Sequence, residues 1–483
     1  MRRLLFLHLA ISIVFSGISA GGLLRRWADF SQIGTSPQDG AVANVYLPVV
    51  HRPARQVRRV NIPFFADQVR KAETAILWFG QVNATDNYTD VRIAYSQDQL
   101  EVHLAIFDRR LWYDTSPSLA DLTAWDSASL YLDLDGNTGL QPDSNAYRFT
   151  SQLSGSQPRQ NYFAASRGNG SGWTPANVPI TSDSGWRGSG LNADDKTARG
   201  WRTSIYIPFS SLGLSGPPAE GTIWGLAFTV YDRDDSAGTP IAPKTWPETA
   251  NADQPATWGQ LSFGLPSYTP PAATQGGSVT IRHKLAGATV VDGMVGGSST
   301  CGTGLDFFNE WGNKNYAGAG QVNVQNQWDV ADWPCFSKLY ITFPLEAVPA
   351  GKVILSASLT LHQFGGADPT QAEPSLIQVL TVAENWSEAS LTWNNAPLAV
   401  ENVSQAVAGV ITGHVNWPGV PITWDMSRAV AAAYQKDNRL RLVLYESDTA
   451  YHSGKYFSSS DTGDWNAAGR PTLTINWGEP ANP

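Results

Sequence analysis

The sequence predicts an all-β protein: a signal peptide, then two β-sandwich or jelly-roll domains joined by a Pro/Gly-rich linker. Three observations predict it. Apolar and polar residues alternate with period two along many short segments, the pattern of strands with one buried face. Turn-forming residues separate those segments at short intervals, as sandwiches and jelly rolls require. The composition, with 44 Gly, 30 Pro and 19 Trp but only 16% charged residues, is unlike that of a helical or coiled-coil chain. The 16 Tyr and 18 Phe also argue against disorder, because disordered chains are poor in aromatics.

Residues 1–20 have the order of a secretory signal. Arg2 and Arg3 precede an apolar run from Leu4 to Phe15, and small residues lead to a cleavage point expected after Ala20. That run is too short for a stable span, and no internal stretch reaches the ~18 apolar residues a span needs. The mature chain is therefore expected to be secreted or extracellular, cell-surface association included, with no transmembrane segment. Export makes a disulfide between the only two cysteines, Cys301 and Cys335, the expected pairing. Closing that loop would stabilise by roughly 3–4 kcal/mol in the chain-entropy model. Residues 21–57 show little periodicity and read as a basic tether, with Arg55, Arg58 and Arg59 at its end.

The first β domain is placed at 58–264. Its clearest strands are Val91–Tyr95 and Leu100–Phe107, joined by a polar turn. Leu100, Val102, Leu104 and Ile106 alternate with Glu101, His103, Ala105 and Phe107, a half-buried antiparallel pattern. Ala128, Leu130 and Leu132 alternate likewise, and Trp201–Phe209 and Trp224–Tyr231 give two more strands. Residues 265–277, rich in Pro, Thr and Gly, read as the linker. The second β domain is placed at 278–479. Its strands are Val279–His283, Lys338–Phe343, Ile354–His362, Leu376–Val382, Leu440–Tyr445 and Thr472–Trp477, and only Met426–Gln435 looks helical. There is no tandem repeat.

Several function classes drop out. The formal charge is −9, with acids in excess over both domains, so phosphate backbones are repelled and no nucleic-acid partner is expected. There is no G-x-S-x-G, H-E-x-x-H, phosphate-cradling Gly/Lys loop or C-x-x-C. The first domain has no Met and a single His, His103, which leaves haem ligation without axial candidates. Two carboxylates converging for glycosidic hydrolysis are beyond what sequence can exclude. Sequons begin at Asn83, Asn87, Asn169, Asn385 and Asn402 and matter only in a host that reads them.

Two features stand out. A strand from Asp126 runs into an acidic loop where Asp133, Asp135 and Asn137 alternate, with Asp143 nearby. Such hard oxygen ligands suit a structural Ca²⁺, although the spacing is not that of an EF-hand. The other reading is an Asp/Gly/Asn turn whose carboxylates cap backbone N–H groups. The second feature is aromatic abundance. A sugar presents C–H faces ringed by hydroxyls, and Trp and Tyr meet it with a flat apolar ring and a polar tip. The competing reading is that any one Trp belongs to the core.

Residues ~58–264 resemble the family 9 carbohydrate-binding modules, a β-sandwich family. The likeness rests on Asp126–Asp133 (DSASLYLD), on Trp201–Leu212 (WRTSIYIPFSSL), on Trp224–Asp232 with Trp246, and on the closing Trp258-Gly259-Gln260-Leu261. The resemblance implies sugar binding between two Trp, and structural Ca²⁺. The family's clamp positions hold Thr123 and Ala252 here, so Trp125 and Trp246, with Tyr131, are the sugar-facing candidates. Residues 278–479 resemble the DNRLRE-type jelly-roll domains of bacterial and archaeal surface proteins. That likeness rests on Lys338–Phe343, Pro349–Leu361, the W-x6-W-N-x-x-P element from Trp386 to Pro397, and the ending from Phe457 to Ile475. It implies a carbohydrate binder or a surface spacer.

Three functions are therefore open. The leading one is a secreted, non-catalytic protein whose two tandem β modules bind a polysaccharide or surface glycan. The others are a structural or adhesive cell-surface protein without sugar binding, and an accessory or cryptic glycoside-degrading enzyme. The sequence leaves the oligomeric state open.

Overall fold

In the computed structural model, residues 56–481 are described except for 137–138, 156–158, 189, 195–197, 298–303, 327–335, 367–369, 371 and 449–453. The expected signal peptide, most of the tether, Asn137 and both cysteines lie outside the described residues.

The alternation read from the sequence produces three sheets. One layer of the first sandwich runs, edge inward, through Trp173–Ala176, Phe163–Gly168, Ala146–Gln152, Ser127–Asp133, Ile223–Tyr231, Gly259–Phe263 and Arg59–Ile62. Facing it are Thr181–Arg187, Gly200–Pro208, Gln99–Phe107 and Asp86–Ser96, the last also pairing with Ala75–Asn83. Leu130, Leu132, Phe149 and Phe228 from one layer meet Val102, Leu104, Ile106 and Ile205 from the other. In the second sandwich, Val291–Gly296, Ser337–Pro344, Arg439–Glu446, Ser375–Val382 and Ala399–Ala408 face a sheet containing Ala273–Arg282, Thr472–Pro480, Val353–Gly366 and Lys455–Ser458. The expected helix is present as Ser427–Lys436, with Ala429 and Val430 buried against this second core. Among the described residues no helix is long and apolar enough to cross a membrane.

The first layer of each sandwich belongs to the same sheet. Arg59 pairs with Glu401 across the joint, and two buried asparagines replace the ladder beyond it. The Asn61 backbone N–H donates to Asn402 Oδ1 (2.7 Å), Asn402 Nδ2 donates to the Asn61 carbonyl (2.8 Å), and Asn61 Nδ2 donates to the Asn402 carbonyl (2.7 Å). Asn402→Ala leaves two backbone groups unpaired, so it is expected to cost about 2–4 kcal/mol. The urea midpoint measures it, and a change below about 0.5 kcal/mol would show that the pair does not hold the joint.

A third core fills the space between the sandwiches. Strand alternation sends Leu339, Ile341 and Phe343 into the second sandwich and Tyr340 out the other side. There Tyr340, Val443 and Tyr445 meet Trp78, Tyr88 and Phe107 of the first sandwich. The half-buried pattern expected for Leu100–Phe107 is therefore buried on both faces, with Phe107 edge-on to Phe336 at 4.8 Å. Sheets stack in four layers, one of them curling round to serve twice.

The segment expected as a linker is part of this body. Residues 273–277 open the strand Ala273–Arg282, which pairs with Thr472–Pro480, and Tyr268 Oη donates to the Ile354 carbonyl at 2.7 Å. Gly276 and Gly277 are there because the Trp477 ring lies on them: an added Cβ would meet it at 2.4 and 2.7 Å. The Gly content that suggested flexibility reflects close approach.

Candidate functional site

Of the three aromatic candidates, two are closed off. Trp246 is core, packed on Phe228 (ring centroids 6.3 Å), with Gly259 against its indole. Tyr131 does point away from the sandwich core, but Trp173 and Trp258 cover it at 5.9 and 5.5 Å, leaving its ring buried. Neither has a face for a ligand, so the geometry corrects both expectations. Trp125 is half-buried, stacked on Trp112 at 6.4 Å with 26° between planes.

The most exposed indoles among the described residues lie elsewhere. Trp417 is 52% and Trp465 69% exposed. They meet edge to face, 4.8 Å between centroids and 86° between planes, and Phe364 lies 5.5 Å from Trp417. Three elements supply them. Phe364 ends the strand Val353–Gly366, Trp417 sits in the turn before Val420–Asp425, and Trp465 rides a 3₁₀ turn, Asp464–Gly469. Gly463 leaves room for the Trp465 ring, which a Cβ there would meet at 2.7 Å. A polar border adjoins it: Asp464 Oδ1 accepts from Lys284 Nζ (3.2 Å) and from Arg470 Nη2 (2.5 Å). The result is two perpendicular flat faces beside donors and acceptors. Sequence reasoning missed this site. The available signal was that Trp417, in Asn-Trp-Pro-Gly, and Trp465, in Gly-Asp-Trp-Asn, sit among turn residues, outside any alternating strand.

Carboxylates gather in two places. Asp133, Asp135 and Asp143 come together as expected, each with an oxygen within 4.8 Å of the others. Burial and the neighbouring Asp135 raise the Asp133 carboxyl to about 7. The turn reading also holds, since the Asp135 and Asn145 backbone N–H groups donate to Asp133 and Asp143 (3.3 and 2.7 Å). A second trio, Asp108, Asp232 and Asp234, lies equally close together at one end of the first sandwich.

A Ser-His-acid row also crosses one sheet. His103 Nδ1 lies 2.9 Å from Ser204 Oγ, and His103 Nε2 lies 3.4 Å from Glu101. His103 and Ser204 are fully buried, so no substrate reaches the hydroxyl.

Known proteins add the following. Residues 308–476 match the model of Carbohydrate-binding module family 96. Phe364, Trp417 and Trp465 all fall inside that family 96 span. Similar solved structures include a family 9 carbohydrate-binding module from Caldicellulosiruptor kristjanssonii in complex with cellotriose. It is 16% identical, with a TM-score of 0.31, over 44% of this chain and 95% of that one. The same module in complex with glucose gives 16% identity and a TM-score of 0.31, over 44% of this chain and 100% of that one. A putative carbohydrate-binding protein from Bacteroides uniformis ATCC 8492 gives 14% identity and a TM-score of 0.32, over 43% and 99% of the two chains. No curated protein matches this chain.

Proposed function

We propose that this chain is an exported, non-catalytic carbohydrate-binding protein that seats a sugar ring on Trp417 and Trp465, with Phe364 behind them. One observation carries the reading: the two most exposed indoles among the described residues touch each other, inside a span that matches a carbohydrate-binding module family. Leaving large aromatics in water forgoes about 2–3 kcal/mol of burial each, and clustered exposed apolar side chains mark interaction surfaces. A pyranose C–H face covers an indole while its hydroxyls reach Asp464 and Lys284, both exposed, with buried Arg470 holding Asp464 in place. We also propose a structural Ca²⁺ at Asp133, Asp135 and Asp143 in the first sandwich. The two modules share a sheet and a core, so both would meet a polymer in fixed register, without the reach of a flexible tether.

Affinity electrophoresis and calorimetry against neutral and acidic polysaccharides test this, with product release read in the same wells. Trp417→Ala and Trp465→Ala should each weaken binding by about 10-fold or more, since ~1.4 kcal/mol is a factor of ten and a stacked ring contributes about that much. Trp125→Ala should leave affinity unchanged. Undiminished binding by the double variant would remove the platform, and released product would promote the enzyme reading.

A further inference from the structure

The strands that end at the Trp417–Trp465 platform carry a second surface. Four of them, Ala273–Arg282, Thr472–Pro480, Val353–Gly366 and Val420–Asp425, lie side by side in one sheet. Alternation sends Ile281, Leu473, Ile475, Leu359 and Trp424 into the second core, and the residues between them face outward. The register sets those outward residues in rows. Ser278, Asn476 and Ser356 stand opposite one another in the first row, and Thr280, Thr474 and Ser358 in the next. Thr472, Thr360 and Thr423 make the third. Every one of these side chains is exposed or half-buried. Charge stands only at the margins, with Arg282 beside Thr472 and Asp425 beside Ser358.

An open sheet face is ordinarily polar, but protein surfaces intersperse Lys, Arg, Asp and Glu. These rows carry hydroxyls and one amide instead. Such short side chains keep the face flat and lose less rotamer freedom under a ligand than Lys or Arg would. Thr360 Oγ1 and Thr423 Oγ1 lie 3.3 Å apart, and Asn476 Nδ2 donates to Ser356 Oγ at 2.9 Å. No described residue hydrogen-bonds the side chains of Thr280, Thr474 or Ser358. A second observation points to a ligand: the rows run to the aromatic platform. Past Thr360 the same face continues through His362, half-buried opposite Pro421, to Phe364. Trp417 precedes Val420–Asp425 and Trp465 precedes Thr472–Pro480, so the three touching aromatics stand together at one end of the rows. From Ser356 to Phe364 the face is roughly 27 Å long, at ~3.4 Å per residue.

We infer that the rows are a track for a linear polysaccharide, laid along Val353–Gly366 with one ring on the Trp417–Trp465 platform and the following rings over Thr360, Thr474 and Ser358. Resting on the platform proposed above, the track adds a preference for long chains over short sugars. A Ser or Thr hydroxyl both donates and accepts, as every sugar hydroxyl does, so the match needs no charge. Each such bond replaces one to water and contributes little by itself, so only a chain that makes several in line gains from them. Without a cluster of Lys and Arg the rows do not suit a phosphate backbone.

Calorimetry on the mature full-length chain compares cellobiose with cellohexaose and digalacturonate with hexagalacturonate. In the series that binds, the hexasaccharide should be held about 10-fold tighter or more than its disaccharide, the yield of a few further hydrogen bonds. Thr280→Val, Thr360→Val and Thr474→Val together remove hydroxyls while keeping strand propensity. That variant should bring the hexasaccharide to within about three-fold of the disaccharide and leave the disaccharide unchanged. Thr474→Lys stands a long side chain on the track and should act likewise, so it decides if the Val variant does not fold. Trp417→Ala should weaken both lengths. Equal affinity of the parent for both lengths, or hexasaccharide binding undiminished in the Thr variants, overturns the track and leaves the platform standing. Weakening by the Thr variants with none by Trp417→Ala overturns the platform and keeps the track. Silence of the parent on both series overturns both.

Discussion

Cut between Gly264 and Ala273, neither half is expected to fold alone, and the intact chain is expected to unfold in one transition. The reason is the third core. Separation would expose Trp78, Tyr88 and Phe107 on one side and Tyr340, Trp393 and Tyr445 on the other. At about 2–3 kcal/mol for each large side chain, three aromatics forfeit about 6–9 kcal/mol per half, comparable with the whole stability of a domain, ~5–15 kcal/mol. Buried polar pairs are lost with them. Asn394 Oδ1 accepts from the Val82 N–H at 2.8 Å, Gln378 Nε2 donates to the Thr74 carbonyl at 2.7 Å, and Arg92 Nε donates to the Ser447 carbonyl at 2.9 Å. Calorimetry of the intact chain and circular dichroism of fragments 56–264 and 273–481 decide it. Two resolved transitions, or a fragment that melts where the intact chain does, would mean that the halves are autonomous modules.

The strands were legible because alternation is local. Gln99–Phe107, Ser127–Asp133 and Ser337–Pro344 each announce an apolar face two residues at a time. What alternation cannot say is what covers the other face. Ala105, Phe107 and Tyr340 occupy positions that a lone sandwich would show to water, and here the neighbouring sandwich buries them. The W-x6-W-N-x-x-P element is specific for the same reason: Trp393 and Asn394 are docking residues between halves. Ala399–Ala408 escaped notice because its sequence, AVENVSQAVA, has little strand propensity and is held by Ser375–Val382. Asn87 and Asn402 head sequons yet are buried, so neither can carry a glycan in the folded chain.

The sites were less legible than the fold. Trp246 and Tyr131 lie within the stretches that resemble the family, and both are packing residues. Asp133, Asp135 and Asp143 do converge, because a single turn brings them together. Asp108 stands more than a hundred residues from Asp232 and Asp234, and only the shared end of two layers brings them within ligand distance. Trp417, Trp465 and Phe364 meet because strands of one sheet that are distant in sequence bring their ends together. Chemistry built across distant strands leaves no spacing for sequence to show.

Trp393→Ala is expected to cost about 3–5 kcal/mol, the usual loss for a buried Trp, whereas Lys338→Met should cost less than about 1.5 kcal/mol at neutral pH. Lys338 is buried between the sandwiches with its Nζ 3.5 Å from the Trp393 ring centroid, 4.2 Å from Trp78, 4.6 Å from Tyr445 and 4.7 Å from Tyr88. Its amine also donates to Tyr88 Oη at 2.5 Å, and Tyr88 and Tyr445 donate to opposite oxygens of Asp90. The ring faces favour a cation, and Asp90 raises the amine's pKa, but burial outweighs Asp90 and draws the pKa well below its ordinary value. The folded chain then binds fewer protons than the unfolded one between that lowered pKa and the unfolded value of about 10.4. Stability from this group therefore rises with pH through that window and falls as pH drops. Tyr88 and Tyr445, whose pKa values burial raises, act in the opposite sense only near pH 10 and above. Chemical denaturation at several pH values from 6 to 9 should show a rising stability in the parent and a flatter one in Lys338→Met. A Met variant with the parent's slope, or one as unstable as Trp393→Ala, would mean that the ammonium is held charged by its cage and is itself the clasp between the two halves.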